Sequence, residues 1–218
     1  MFLVQIDSDG NIERVAKQLG LPYDKSAQWI ASALNETSRR TATLLKQAIR
    51  KHYTYNRNDK LKGAFTVGTK ATKTNQVAIL NVKSEAPHLT DFKVKPNAPS
   101  KINHGAVMAQ IKKDLKAKAL ISDKEGNPKA FIAKFSNGKL AVVQRVPGKV
   151  YGPGAQRRAA KYGAHSDMTK IKALFGPRIT SMANAVYEDS VAAETGVILQ
   201  KAIEKQIAKT ITKMTEGK

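Results

Sequence analysis

The sequence predicts an α+β fold, a small and mostly antiparallel sheet flanked by a long N-terminal and a long C-terminal helix, with a mobile basic loop. Three observations predict it. Two apolar runs, Ala130–Phe135 and Leu140–Val146, flank Asn137-Gly138, a pair that supplies the positive backbone angles of a tight type I′ hairpin turn. From Ser26 to Tyr53 the positions Ile30, Leu34, Leu45, Ala48, Ile49 and His52 recur at helical spacing. After Pro177, a stripe of Ile179, Met182, Val186, Val191, Val197, Ile198, Ile203, Ile207 and Ile211 runs towards Lys213.

Taken in order, Phe2–Ile6 reads as a short strand, Asp9-Gly10-Asn11 as a turn and Ile12–Leu19 as a short helix stopped by Gly20. Asp24 is a candidate N-cap for the first long helix. The middle of that helix, Asn35 to Thr41, is more polar than a buried core helix tolerates, so one face is expected to meet solvent or another subunit. Asn56-Arg57-Asn58-Asp59 breaks it. Gly63–Gly68 and Gln76–Val82 read as strands around a polar loop, Thr69–Asn75. Phe92–Pro96 suits an edge strand closed by proline, and Ala106–Lys113 alternates as a further strand.

Glu125-Gly126-Asn127-Pro128 is a turn into the hairpin. There Leu140, Val142 and Gln144 alternate with Ala141, Val143 and Arg145. A strand apolar on both faces is covered on both, so the hairpin belongs inside a larger sheet, and Pro147-Gly148 is expected to stop it. Gly148–Asp167, rich in glycine and holding Lys149, Arg157, Arg158 and Lys161, has the composition of an arm ordered on assembly.

Charge is the strongest compositional signal. The chain has 38 Lys and Arg against 17 Asp and Glu, a formal net charge of +21, which points to a polyanionic partner. From Lys93 to Arg178 there are 19 basic and 4 acidic residues, whereas Ile179–Lys218 has 5 of each. The basic field therefore belongs to the middle of the chain.

No cysteine is present, which excludes disulfides, thiolate metal sites and a cysteine nucleophile and fits a reducing cytoplasm. No apolar run approaches the roughly 20 residues of a membrane helix. The histidines, at 52, 88, 104 and 165, keep no metal-ligand spacing. Asp123 and Glu125 lie in a turn, where solvated carboxylates are the plain reading. There is no Gly-x-Ser-x-Gly elbow, phosphate-gripping Walker loop or dinucleotide fingerprint. The residues thus predict no enzyme, no cofactor, no catalytic group and no metal.

The order of elements carries a resemblance. Ala33-Leu34-Asn35 with Arg39-Arg40 opens a helix; Phe131-Ile132-Ala133, Gly138 and Arg145 follow in the hairpin; Leu174-Phe175-Gly176-Pro177 precedes the closing helix. Over Ala33–Ile211 this resembles the phage minor tail protein Z family and, more distantly, the tail-completion proteins of long-tailed phages. The chain departs from that pattern in an N-terminal extension, residues 1–24, and in the basic arm at 148–168, the remainder (25–218) reading as one domain.

The resemblance implies a structural virion protein that is made in the host cytoplasm and forms a homo-oligomeric ring at the head-proximal tail end. Its partners would be neighbouring tail or neck proteins, with no membrane. Arg145, Lys149, Arg157, Arg158 and Lys161 are the expected contacts, and charge reversal at Arg157 and Arg158 is expected to block assembly. Within the tail reading the basic residues can also face the DNA conduit and hold packaged DNA through its phosphates, without reading sequence. The alternative is a sequence-independent nucleic-acid-binding protein of host or phage that uses the same basic segment. Against it, Tyr151 and Tyr162 are the only aromatics near the arginine cluster, whereas single-strand binders interleave stacking rings with basic residues. A helix-turn-helix over Ile12–Ile30 is disfavoured by Pro22 and its acidic neighbours.

Overall fold

A computed structural model describes residues 2–7, 23–99, 106–120, 129–135, 137–155 and 169–216. The expected helix at 12–19, the turns at 9–11 and 125–128, and Arg157, Arg158 and Lys161 lie outside these residues. The chain divides into two compact units. One comprises Met1–Lys51, Arg57–Glu85 and Arg178–Lys218, the other His52–Asn56 and Ala86–Pro177.

In the first unit, strands β1 (Phe2–Asp7), β2 (Phe65–Thr69) and β3 (Val77–Val82) form an antiparallel sheet of order β1-β3-β2. Strict alternation in β3 buries Ala78, Leu80 and Val82 on one face. Helix α1 (Tyr23–His52) buries Ile30, Leu34, Leu45 and Ile49. It already runs from Tyr23, so Asp24 lies within it rather than at its cap. A short helix, α2 (Asn58–Gly63), follows the break and buries Leu61.

The polar middle of α1 is not a solvent face. Thr37, Ser38 and Thr41 are fully buried; short hydroxyl side chains can satisfy themselves against the helix or a neighbour, as Thr37 and Thr41 do, whereas Ser38 Oγ has no hydrogen-bond partner among the described residues. Thr37 donates to the Ala33 carbonyl, and the Thr41 and Thr195 hydroxyls stand 3.2 Å apart. Asn35 makes two hydrogen bonds to the Ala71 backbone, donating through Nδ2 and accepting through Oδ1, both 2.9 Å. Arg40 reaches Glu36 at 2.7 Å on the exposed side, and Lys205 approaches the same carboxylate at 3.5 Å.

The C-terminal helical run is the longest among the described residues. It consists of α3 (Ile179–Val186), a π turn (Tyr187–Val191) and α4 (Ala192–Glu216). Ile179, Met182, Val186, Val191, Thr195 and Ala202 are buried along it, while Val197 is exposed. The five-residue step from Val186 to Val191 is the spacing of a π turn, which keeps both valines inward.

The second unit contains two sheets. Strands β4 (Lys93–Lys95), β5 (Met108–Gln110) and β6 (Lys118–Ala119) form one, in that order. Strands β7 (Phe131–Lys134), β8 (Leu140–Val150) and β9 (Thr169–Ala173) form the other, again in order. The Phe92 and Tyr55 rings meet at 5.3 Å, both buried. Gly176 is required beside them, since a Cβ there would fall 2.2 Å from Phe92 Cε2.

The expected single sheet between two long helices is therefore incorrect. Three separate three-stranded antiparallel sheets are present among the described residues, and the hairpin sheet belongs to a unit that contains neither long helix. The physical reason lies between β3 and β7. Strands of only two or three residues, interrupted by Pro87, Pro96 and Pro99, pair with one another and do not extend the hairpin.

Two details of the hairpin also differ. Of the Asn137-Gly138 pair only Gly138 has positive φ, +78°, so the turn is not type I′. Gly138 N–H donates to the Phe135 carbonyl and Phe135 N–H to that of Lys139, the pattern of a tight turn followed by a left-handed glycine. Pro147-Gly148 does not stop β8, which runs to Val150 by bulging.

Candidate interaction surface

Strand β8 is central in its sheet, and four consecutive residues, Ala141 to Gln144, are buried. Register fixes the two faces, because residues paired across an antiparallel ladder point the same way. Phe131 pairs with Val143 and Val143 with Ala173, while Arg145 pairs with Ile171. These residues, with Ala133 and Phe135, make one face, apolar around a single guanidinium: Val143 is fully buried, Phe135 is exposed and the others are half-buried. The Arg145 guanidinium stands 5.4 Å over the Phe131 ring, a cation–π contact that fixes its direction. On the other face Lys134 pairs with Leu140, and Gln144 with Lys172.

Beyond Arg145 the ladder slips. Arg145 pairs with Ile171 but Val150 pairs with Thr169, so β8 advances five positions while β9 retreats two. The extra length bulges at Pro147-Gly148-Lys149. Pro147 lacks the donor a regular ladder needs, and Gly148 takes φ of +69°, open to glycine at little cost. Bulges re-aim side chains. Residues 147–150 are all exposed, Val150 at 65%.

Of the five predicted contact residues, Arg145 and Lys149 thus lie on one strand on either side of the bulge, with Arg145 engaged by Phe131. Arg157, Arg158 and Lys161 lie outside the described residues. Sequence reading missed Lys134, Lys170 and Lys172 on the same sheet and Lys139 in its hairpin turn. The Thr-Lys-Ile-Lys-Ala alternation at 169–173 is a strand signal that would have found the last two.

The described part of the second unit is strongly basic throughout. It carries 13 Lys and Arg, from Lys93 to Lys172, and only Asp91 and Asp114 as acids. The Tyr53 phenol in this unit is pushed above its ordinary range, chiefly by burial and further by the Asp114 carboxylate. His88 stacks on Phe175 with ring centroids 4.9 Å apart, and Phe175 is 52% exposed.

The first unit offers a surface of opposite character. A shallow open groove of about 410 Å³ is lined by Phe2, Thr180, Ser181, Asn184, Ala185 and Glu188. The Phe2 and Tyr187 rings meet edge to face at 5.9 Å, and Asn184 Nδ2 donates to Glu188 Oε1 at 2.8 Å. Glu188, Asp189 and Glu194 are exposed, and no Lys or Arg occurs between Arg178 and Lys201. Sequence reading passed over this stretch because its charges were pooled with the Lys-rich end of α4.

Among the described residues no three His, Cys, Asp or Glu side chains group closely enough to hold a metal ion, and no helix is long and apolar enough to cross a membrane. Comparison of the chain with protein-family models, curated proteins and solved structures finds no match.

Proposed function

We propose that the chain is a structural component of a phage tail, acting in a ring at the head-proximal end through protein-protein contacts. The observation that carries this reading is the bulged end of β8. A strand whose first half is buried on both faces extends past its regular ladder and presents Lys149 and Val150 to solvent, with Lys170 on the adjoining strand. An exposed apolar side chain beside positive charge gains burial and a complementary partner in an assembly. The resemblance carried by Ala33-Leu34-Asn35, the hairpin and Leu174-Phe175-Gly176-Pro177 supplies the tail.

Mass spectrometry of purified particles, scaled to the major tail protein, tests it. A single ring's worth of copies is the expected result, and absence from particles refutes it. The second reading, a sequence-independent nucleic-acid-binding protein, is favoured by the 13 basic residues against 2 acidic in the second unit. It predicts retention on random-sequence DNA that falls steeply with salt, by roughly 0.9 in log K per log salt for each phosphate neutralised.

A further inference from the structure

We propose that copies of this chain join head to tail, the bulged β8–β9 edge of one copy seating on the groove and acidic helical stretch of the next. The inference rests on the ring in the reading above and names the two surfaces that close it.

Charge complementarity selects the occupant. In a chain of net +21, residues 179–200 hold three acids and no base. The groove lined by Phe2, Ala185 and Glu188 adjoins this stretch. Its occupant must therefore bring positive charge together with something apolar. The β8–β9 end meets both demands, since exposed Lys149 and Lys170 flank the Val150–Thr169 pair along the two strands, and Val150 is the most exposed large apolar side chain among the described residues.

The two surfaces differ, so the contact is heterologous, and heterologous contacts propagate into rings or filaments rather than stopping at a dimer. A symmetric contact of two β8–β9 edges would set lysine against lysine, which repulsion disfavours. A nucleic acid could neutralise the lysines, but it leaves the groove and its acids without an occupant.

Two variants test this, each altering exposed residues only. One is Lys149→Glu/Lys170→Glu and the other Asp189→Lys/Glu194→Lys, which spares the Asn184–Glu188 hydrogen bond. Sedimentation velocity of the full chain at low salt reads the outcome, with circular dichroism confirming the fold. Wild type is expected to associate and to dissociate as salt rises. Each variant alone is expected to associate about 10-fold or more weakly. An equimolar mixture recovers association to within a few-fold of wild type, since each reversed surface then meets an opposite one. A monomeric wild type, variants that associate like wild type, or a mixture that stays monomeric overturns the proposal. If the chain is present in particles while both variants associate normally, only this docking mode fails; absence from particles removes the tail reading itself.

Discussion

Substitution of Gly176 by alanine is expected to destabilise the second unit through one contact. The new methyl carbon would lie 2.2 Å from Phe92 Cε2 and 2.8 Å from Cδ2 and Cζ, where carbon atoms at rest stand about 3.5–4.0 Å apart. More than an ångström must therefore be found. The backbone resists, since Gly176 N–H is bonded to the Pro87 carbonyl at 2.9 Å and the Leu89 N–H to the Leu174 carbonyl. The ring resists too, being 2% exposed and packed on Tyr55.

Overpacking of this kind costs about 1–3 kcal/mol. Alanine returns about 0.4–1 kcal/mol by restricting the unfolded chain, so the net loss is on the order of 1–2 kcal/mol. For a chain of this length that is a fall in Tm of about 2–8 °C, read by calorimetry. Pairing the change with Phe92→Leu, which removes the obstructing ring atoms, is expected to cost less than the two single changes summed. An unchanged Tm for Gly176→Ala, or strict additivity of the pair, would show that Phe92 is not what confines position 176.

Other outcomes follow from single contacts. Asn35→Ala deletes both hydrogen bonds to Ala71 and is expected to cost about 1–3 kcal/mol, with faster amide exchange at Ala71. Thr195→Val leaves the buried Thr41 hydroxyl without its partner, at about 1–3 kcal/mol in denaturant unfolding; the double change Thr41→Val/Thr195→Val is expected to cost less than Thr195→Val alone. The Arg57 hydrogen bond, foremost, holds the exposed Asp59 carboxyl at about 2. Because the folded value is lowered, this contribution is present above the unfolded value near 3.8 and is lost as pH falls towards about 2. Arg57→Gln should return the Asp59 carbon resonance titration towards its ordinary midpoint.

Local pairing was legible in the sequence and global pairing was not. Asn137-Gly138 flanked by two apolar runs located β7 and β8, and the β-branched content of Gln76–Val82 located β3, because each signal is written in adjacent residues. Which ladders join into one sheet depends on partners tens of residues away. Strands as short as Lys118–Ala119 leave no period to read. The polar middle of α1 misled for another reason. Composition cannot distinguish a threonine facing water from one, like Thr41, facing another threonine 154 positions later. Of the contact surface, Arg145 stood out as a charge at the end of an apolar strand and Lys149 as one beside Gly148, whereas Lys170 and the acids at 188–194 acquire meaning only from their neighbours in space.

The π turn makes the end of this chain a matter of counting. One residue more than an α-helix needs is taken up between Tyr187 and Val191, and each residue of an α-helix turns its successor by about 100°. Losing any one of the five would leave composition, helical propensity and the spacing within α4 untouched. Yet Thr195 and Ala202 would swing away from the core by more than a quarter of a revolution, carrying Glu194 with them. The segment behaves as an indexing tooth: it tolerates many changes of letter and very few changes of length.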